Sequence, residues 1–405
     1  MPEPRRVVIT GLGAVSSVGI GAGAFASAIR EGSLGTSEIT SFDASRFPFR
    51  TAGEVRDFSP RDILRRADPD HWGRSGQLAA SASRLALEDA GLDPELVSRL
   101  RSGAVMGTTS GEATVSSVLG EQWVSGRMKE FSPRLVAQAP ASQIAAAVGV
   151  ELELSGDVQT IPTACSASNY ALGHAFDLVR TGEADLMFAG GADAVNRFTH
   201  AGFHALGALA PDVCRPFDKD RAGILTGEGG VSLLLEPLES AVARGARIYA
   251  EVLGYGVNCD ARHMVHPDPE TIAACIRDAH ASAGITPDQV DYICAHGTGT
   301  PTNDATEVQA VREVFGDDLP PISSIKSMIG HTMGAASGFG AVMCCKALHE
   351  GFLPPTANVS EVDPLLGPGL DVVPGRGRDA SPRIVQNHGF AFGGNNVITI
   401  FGRPE

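Results

Sequence analysis

Short apolar runs of strand length alternate with alanine-rich runs of helix length along nearly the whole chain. That alternation restricts the fold to α/β layering, in which helices cover sheets. Strands are expected at residues 7–10, 104–106, 158–162, 186–189, 231–236, 248–255, 292–295, 322–324, 384–387 and 397–401. Helices are expected at 77–90, 142–148, 169–180, 237–244, 271–283, 304–315 and 334–349. The stretch 239–247 reads as a seam. The strand after it restarts a strand-to-glycine pattern like that of residues 7–13, a faint sign of internal duplication.

The 405 residues provide ample material for a buried core, and no apolar run approaches the roughly 20 residues that a bilayer crossing needs. The first residues enter a strand-like run almost at once, without the apolar core of a signal peptide. Seven cysteines are scattered with no metal-like pairing, so no metal is expected and a reducing cytoplasm fits best. Cys344 and Cys345 lie in an apolar helix-like run and read as core. A formal net charge of −15 argues against nucleic acid as a partner.

The chemistry gathers in three blocks. Cys165 follows the apolar run 158–161 and precedes a helix-like run, with small neighbours Ala164, Ser166 and Ala167. A cysteine at such a junction meets unpaired N–H groups and the positive end of a helix dipole, both of which favour thiolate. His296 ends an apolar run and opens the turn His296-Gly297-Thr298-Gly299-Thr300. His331 follows Lys326 in the block Ser323-Ser324-Ile325-Lys326-Ser327-Met328-Ile329-Gly330-His331. One cysteine with separated histidines is the pattern of a thiol nucleophile with imidazole partners assembled by folding. The other nine histidines, His280 and His388 among them, read as structural or surface residues.

These blocks, with Pro216-Phe217-Asp218-Lys219-Asp220-Arg221, Gly227-Glu228-Gly229 and Gly389-Phe390-Ala391-Phe392-Gly393-Gly394-Asn395-Asn396, resemble the elongating β-ketoacyl-acyl-carrier-protein synthases from Val7 to about Arg403. The resemblance implies the thiolase fold: two similar α/β halves in five layers, 1–245 carrying the cysteine and 246–405 carrying both histidines. It implies a decarboxylating Claisen condensation in type II polyketide or fatty-acid elongation, with Cys165 holding the acyl group. His296 and His331 would stabilise the malonyl enolate. The N–H groups of Cys165 and Phe392 would form an oxyanion hole, with Phe392 also a gate. Lys326 and the supporting Glu307 would set the protonation and orientation of the site.

The same likeness assigns Thr298 and Thr300 to the phosphopantetheine arm, with Phe390 nearby. It places Thr109 and Ser110 at the deep end of the acyl channel. No cofactor is implied beyond the phosphopantetheine of the acyl carrier protein. The chain is expected to be a homodimer, or a heterodimer with a chain-length factor. A non-catalytic chain-length-factor role and a thiolase-like CoA enzyme are the alternatives; the intact Cys165, His296 and His331 argue against the first, and the His296 and Lys326 blocks against the second. The family's usual glycine at 391 and threonine at 395 are Ala391 and Asn395 here, and the loop 208–215 is shorter and less basic than in housekeeping fatty-acid synthases. Small polar residues at 109 and 110 imply a longer or less aliphatic acyl chain. An acidic carrier would need a local basic patch, for which Arg61, Arg65, Arg66 and Arg74, or Arg127, Lys129 and Arg134, are available.

Overall fold

All ten expected strands form, and they hydrogen-bond into one sheet. In the computed structural model, which describes residues 4–404, the order across the sheet begins Ile322–Ser323, Tyr292–Cys294, Ile384–Phe390, Asn395–Gly402, Ala250–Cys259. It continues Val7–Ser16, Gly229–Pro237, Leu186–Asp193, Ser102–Gly107, Val158–Ile161. The two central strands meet over three residue pairs only, Val7 with Val252, Val8 with Glu251 and Ile9 with Ala250.

Outward from that seam, both arms repeat one pattern: two antiparallel pairings, then two parallel ones. Each arm has a register shift in its first pairing, between Ile9 and Gly11 on one side and between Val252 and Gly254 on the other. A bulge repeated at the same place in both arms is the structural form of the duplication.

Helices fill the remaining layers. Ala167–Arg180 and Ala336–Glu350 touch each other and lie between the arms. Arg74–Asp89 with Gln143–Leu152 covers the outside of one arm, and Pro269–Ala283 with Pro301–Phe315 covers the other. The result is the five-layered thiolase-type arrangement. Its inner helix 336–350 is buried on every side from Ala336 to Leu348, as a helix rich in alanine, glycine and cysteine permits. Phe339 anchors it against Phe25, ring centroids 5.2 Å apart.

Both inner helices start in the same way. Each is preceded by a single 3-10 turn, Ala164–Ser166 and Met333–Ala335, entered through a residue in the left-handed region: Ala164 at φ 53° and Met333 at φ 54°. Non-glycine residues adopt that region only under constraint. The constraint is a hydrogen-bonded knot between the two turns. Ser168 Oγ donates to the Gly334 carbonyl (2.5 Å), Asn169 N–H to Ser337 Oγ (3.1 Å), and the Asn387 amide to Asn169 Oδ1 and Ser337 O (2.9 Å each).

The helices Ala22–Glu31, Ala113–Val124 and Arg197–Ala205 were not expected from the sequence. The second is rich in valine, serine, threonine and glycine, which have little intrinsic helix preference. It leaves Trp123 and Val124 largely exposed, at 63% and 86%. Among the described residues no helix is long and apolar enough to cross a membrane, and no cluster of three or more His, Cys, Asp or Glu could hold a metal ion. All seven cysteines are free.

Candidate active site

Cys165 sits at the middle of the first 3-10 turn, where the strand Val158–Ile161 hands over to the helix Ala167–Arg180. Its sulfur opens onto a cavity of about 210 Å³ that His296, His331, Phe390, Phe392, Thr298 and Thr300 also line. The three blocks separated in sequence therefore converge. Burial pushes the Cys165 thiol up to about 12, against the Lys326 cation and the Thr109 hydroxyl, which favour the thiolate. Among the described residues no main-chain carbonyl accepts the N–H of Cys165 or of Phe392.

Two strand ends deliver the histidines. The loop after Tyr292–Cys294 carries His296, and the short helix Lys326–Ile329 after Ile322–Ser323 leads to His331. The imidazole centroids lie 5.6 Å apart, edge to face. His331 N–H donates to Leu225 O (2.7 Å), and its carbonyl accepts from Gly227 (2.8 Å). Its ring Nδ1 accepts from the Met333 N–H (3.1 Å), so the ring proton resides on Nε2. Both imidazoles are held well below their ordinary pKa, first by burial and then by the Lys326 charge. They are neutral hydrogen-bond donors at neutral pH.

Lys326 is buried, and its Nζ donates to the His296 carbonyl at 2.5 Å. Burial lowers its own pKa, while Cys294, Glu307 and Cys165 hold it up. Glu307 is near enough to Lys326 to help hold its charge, as expected, although no ion pair joins them among the described residues; its carboxylate accepts the N–H groups of His296 (2.8 Å) and Gly297 (2.7 Å). Asp304, one helical turn earlier, accepts from Gly299 (3.2 Å) and Phe217 (2.8 Å). The two carboxylates that share a face of the helix Pro301–Phe315 thus hold the histidine loop from beneath.

Thr298 and Thr300 face the cavity with their hydroxyls 3.0 Å apart, and Thr300 also caps the helix by accepting from Asn303 N–H. Between them Gly299 is required: it sits at φ +79°, and a Cβ there would lie 2.9 Å from Gly223 O. Phe390 is buried against His296, centroids 5.5 Å apart. Phe392 is 40% exposed and leans on Phe203 at 5.8 Å, in a turn closed by Gly394 N–H to Ala391 O.

Thr109 and Ser110 do not line this cavity. They lie behind Cys165, where their N–H groups donate to Asp193 (2.7 and 2.8 Å) and Ser110 Oγ meets Thr199 Oγ1 (2.9 Å). The Thr109 hydroxyl, beside the sulfur, is buried without a partner inside ordinary hydrogen-bond limits.

Three groups close to the site carried no sequence signal. Asp193 also accepts from Gly334 N–H (2.7 Å) and Thr108 Oγ1 (2.9 Å), and its burial raises its carboxyl to about 6. His388 Nδ1 lies 2.8 Å from Glu307 Oε1. Cys214 contacts the Thr298 carbonyl at 3.3 Å. Only the topology brings these residues together.

Of the basic residues considered for carrier docking, most are neutralised within the chain. Arg61 pairs with Asp70, Arg66 with Glu153, Arg127 with Glu130 and Arg134 with Asp70, while Arg74 is directed inward onto Glu228.

Residues 4–241 match the β-ketoacyl synthase N-terminal domain, and residues 249–360 match the C-terminal domain of the same enzymes. The chain belongs to the β-ketoacyl synthase family. Family membership makes it a condensing acyltransferase. It is 36% identical to 3-oxoacyl-acyl-carrier-protein synthase 2 of Coxiella burnetii, over 99% of each chain. It is 38% identical to nodulation protein E of Rhizobium leguminosarum bv. trifolii, over 98% of this chain and 99% of that one. Among solved structures, the ishigamide ketosynthase/chain length factor superposes with a TM-score of 0.97 at 46% identity, covering 99% of this chain and 100% of that one. A type II PKS acyl-carrier protein in complex with its ketosynthase bound to the hexaketide gives 0.91 at 31%, with the same coverage.

Proposed function

We propose that this chain extends an acyl chain on a carrier protein by decarboxylative condensation, in a type II polyketide pathway rather than in housekeeping fatty-acid synthesis. The observation that carries the reading is the convergence of one sulfur and two neutral imidazoles on one cavity.

Cys165 attacks the acyl thioester; its sulfur bonds to the acyl carbon, and the carrier thiol departs with the proton. The free N–H groups of Cys165 and Phe392 receive the oxyanion. The malonyl thioester then enters along Thr298 and Thr300. Its carboxylate leaves as CO₂, and the bond's electron pair becomes an enolate whose oxygen accepts from His296 and from His331 Nε2–H. The enolate carbon attacks the Cys165 thioester, a carbon–carbon bond forms, and the sulfur leaves to be reprotonated. Phosphopantetheine arrives on the carrier protein, and the residues themselves supply the remaining chemistry.

Two findings favour the polyketide reading. A solved ketosynthase/chain length factor shares more identity with the chain than the 3-oxoacyl synthase named above. The region behind Cys165 presents Thr109, Ser110 and Thr199 rather than aliphatic bulk. We assign the exposed apolar face of Ala113–Val124 to a partner subunit, a second copy or a chain-length factor, with each chain built as halves divided near residue 245.

Incubation with acyl- and malonyl-loaded carrier protein tests the reading. An acyl mass on Cys165, absent from Cys165→Ala, followed by CO₂ release is expected. No adduct with any acyl donor overturns it. Ser110→Ile is expected to shorten the product; unchanged chain length would remove the assignment of that residue.

A further inference from the structure

Behind Glu307 runs a buried chain of polar side chains that the reaction itself does not use. His388 Nε2 lies 2.5 Å from Gln386 Nε2, and an amide nitrogen only donates, so His388 accepts there. Its proton therefore resides on Nδ1 and is donated to Glu307 Oε1 at 2.8 Å. Gln386 is itself held in that orientation, because its Oε1 accepts from His280 Nε2 at 2.7 Å. All four side chains are buried, so each hydrogen bond has no water to replace it.

Glu307 Oε1 also accepts the His296 N–H, while Oε2 accepts that of Gly297. The His388 hydrogen bond thus ends on the oxygen that anchors the main chain of His296. Lys326 holds the other side of that residue through its carbonyl.

We infer that His388 is a positioning residue for the decarboxylating half of the reaction: acting through Glu307, it fixes the loop that aims His296 into the cavity. This rests on the function proposed above. Without the His388 donor, Glu307 Oε1 keeps a single N–H partner in a dry site, and only the bonds from His296 and Gly297, the residues it must hold, still fix the carboxylate. Displacement of a reacting group by a fraction of an ångström is costly for catalysis. The first acyl transfer relies on Cys165 and on the N–H groups of Cys165 and Phe392; Phe392 follows the strand that carries His388, but neither N–H bonds to Glu307 or to the His296 loop, so that step should be spared.

The experiment measures two rates on each variant: acyl transfer to Cys165 by mass spectrometry, and CO₂ release from malonyl-carrier protein. His388→Leu should lower CO₂ release by about 10–100-fold, the scale on which loss of a hydrogen bond that orients a metal-ligating histidine is felt, taken here for a histidine held through its main chain. Acyl transfer should stay within about twofold. His388→Asn, whose amide nitrogen can stand near the Nδ1 position, should recover most of the loss. Gln386→Leu keeps His388 but releases its tautomer, and should show the same selective loss to a smaller degree; it carries the test if His388→Leu does not fold. Unchanged CO₂ release, or equal losses in both rates, overturns the inference. Absence of acyl transfer in the unmodified protein would instead defeat the proposed function.

Discussion

Replacing Lys326 with methionine removes one buried positive charge while keeping an unbranched side chain of similar length. His296 and His331 are both held neutral partly by that charge. Unit charges a few ångströms apart at an effective dielectric near 20 interact by roughly 2–4 kcal/mol. Each imidazole pKa should therefore rise in Lys326→Met, by the loss of that repulsion. Burial, the larger cause, remains, so both stay below the ordinary value of 6.5. In the unmodified protein the imidazoles stay neutral as pH falls through 6.5; in the variant they take up protons at higher pH. Protonation of His331 Nδ1 would set its new N–H against the Met333 N–H that it now accepts.

The acid limb of CO₂ release from malonyl-carrier protein, followed from pH 5 to 8, should therefore move upward by at least about one unit. Loss of the bond to the His296 carbonyl should add a pH-independent decrease, since a buried acceptor left unpaired costs about 1–3 kcal/mol. Acid limbs that superimpose would refute the reasoning, however low the overall rate.

Asp193→Asn should remove a pH-dependent part of the stability. Burial raises the Asp193 carboxyl from 3.8 to about 6, so its favourable contribution is present at low pH and lost as pH rises through 6. Relative to Asp193→Asn, the unmodified protein should gain about 1 kcal/mol on going from pH 7 to pH 5, measured by denaturant unfolding. Gly299→Ala places a methyl 2.9 Å from Gly223 O at positive φ. It should cost about 1–3 kcal/mol and raise the KM for carrier-bound substrates more than it lowers the rate of Cys165 alkylation. Phe339→Ala, at the centre of the inner helix layer, should destabilise the protein by about 3–5 kcal/mol.

The strands were legible because sheets buried on both faces need near-continuous apolar runs, and Leu186–Asp193 and Gly229–Pro237 supply them. Helices were legible where alanine and apolar periodicity dominate, as in Pro269–Ala283 and Pro301–Phe315. Ala113–Val124 was not, because it docks by context, burying Ala113 and Val115 and leaving Val118, Trp123 and Val124 outward. At the site, Cys165, His296, His331 and Lys326 stood out because glycine and small residues flank them in short, distinctive blocks. Asp193 and His388 stood in ordinary apolar or polar surroundings. Their importance comes from hydrogen bonds to Gly334, 141 residues away, and to Glu307, 81 residues away. No local pattern encodes such distances.

The repeated 3-10 turns are two equivalent seats, and on the proposed function the nucleophile takes only one of them. Cys165 takes the middle of the first turn, and Gly334 takes the middle of the second. The vacant seat is closed as well as empty: a Cβ on Gly334 would lie 2.4 Å from the Thr108 Cα and 2.7 Å from Asp193 Oδ2. Backbone of the first half thus presses into the place where the second half could have carried a sulfur. On the proposed function, the inner layer then provides one seat for covalent attachment, and one growing product would occupy it at a time.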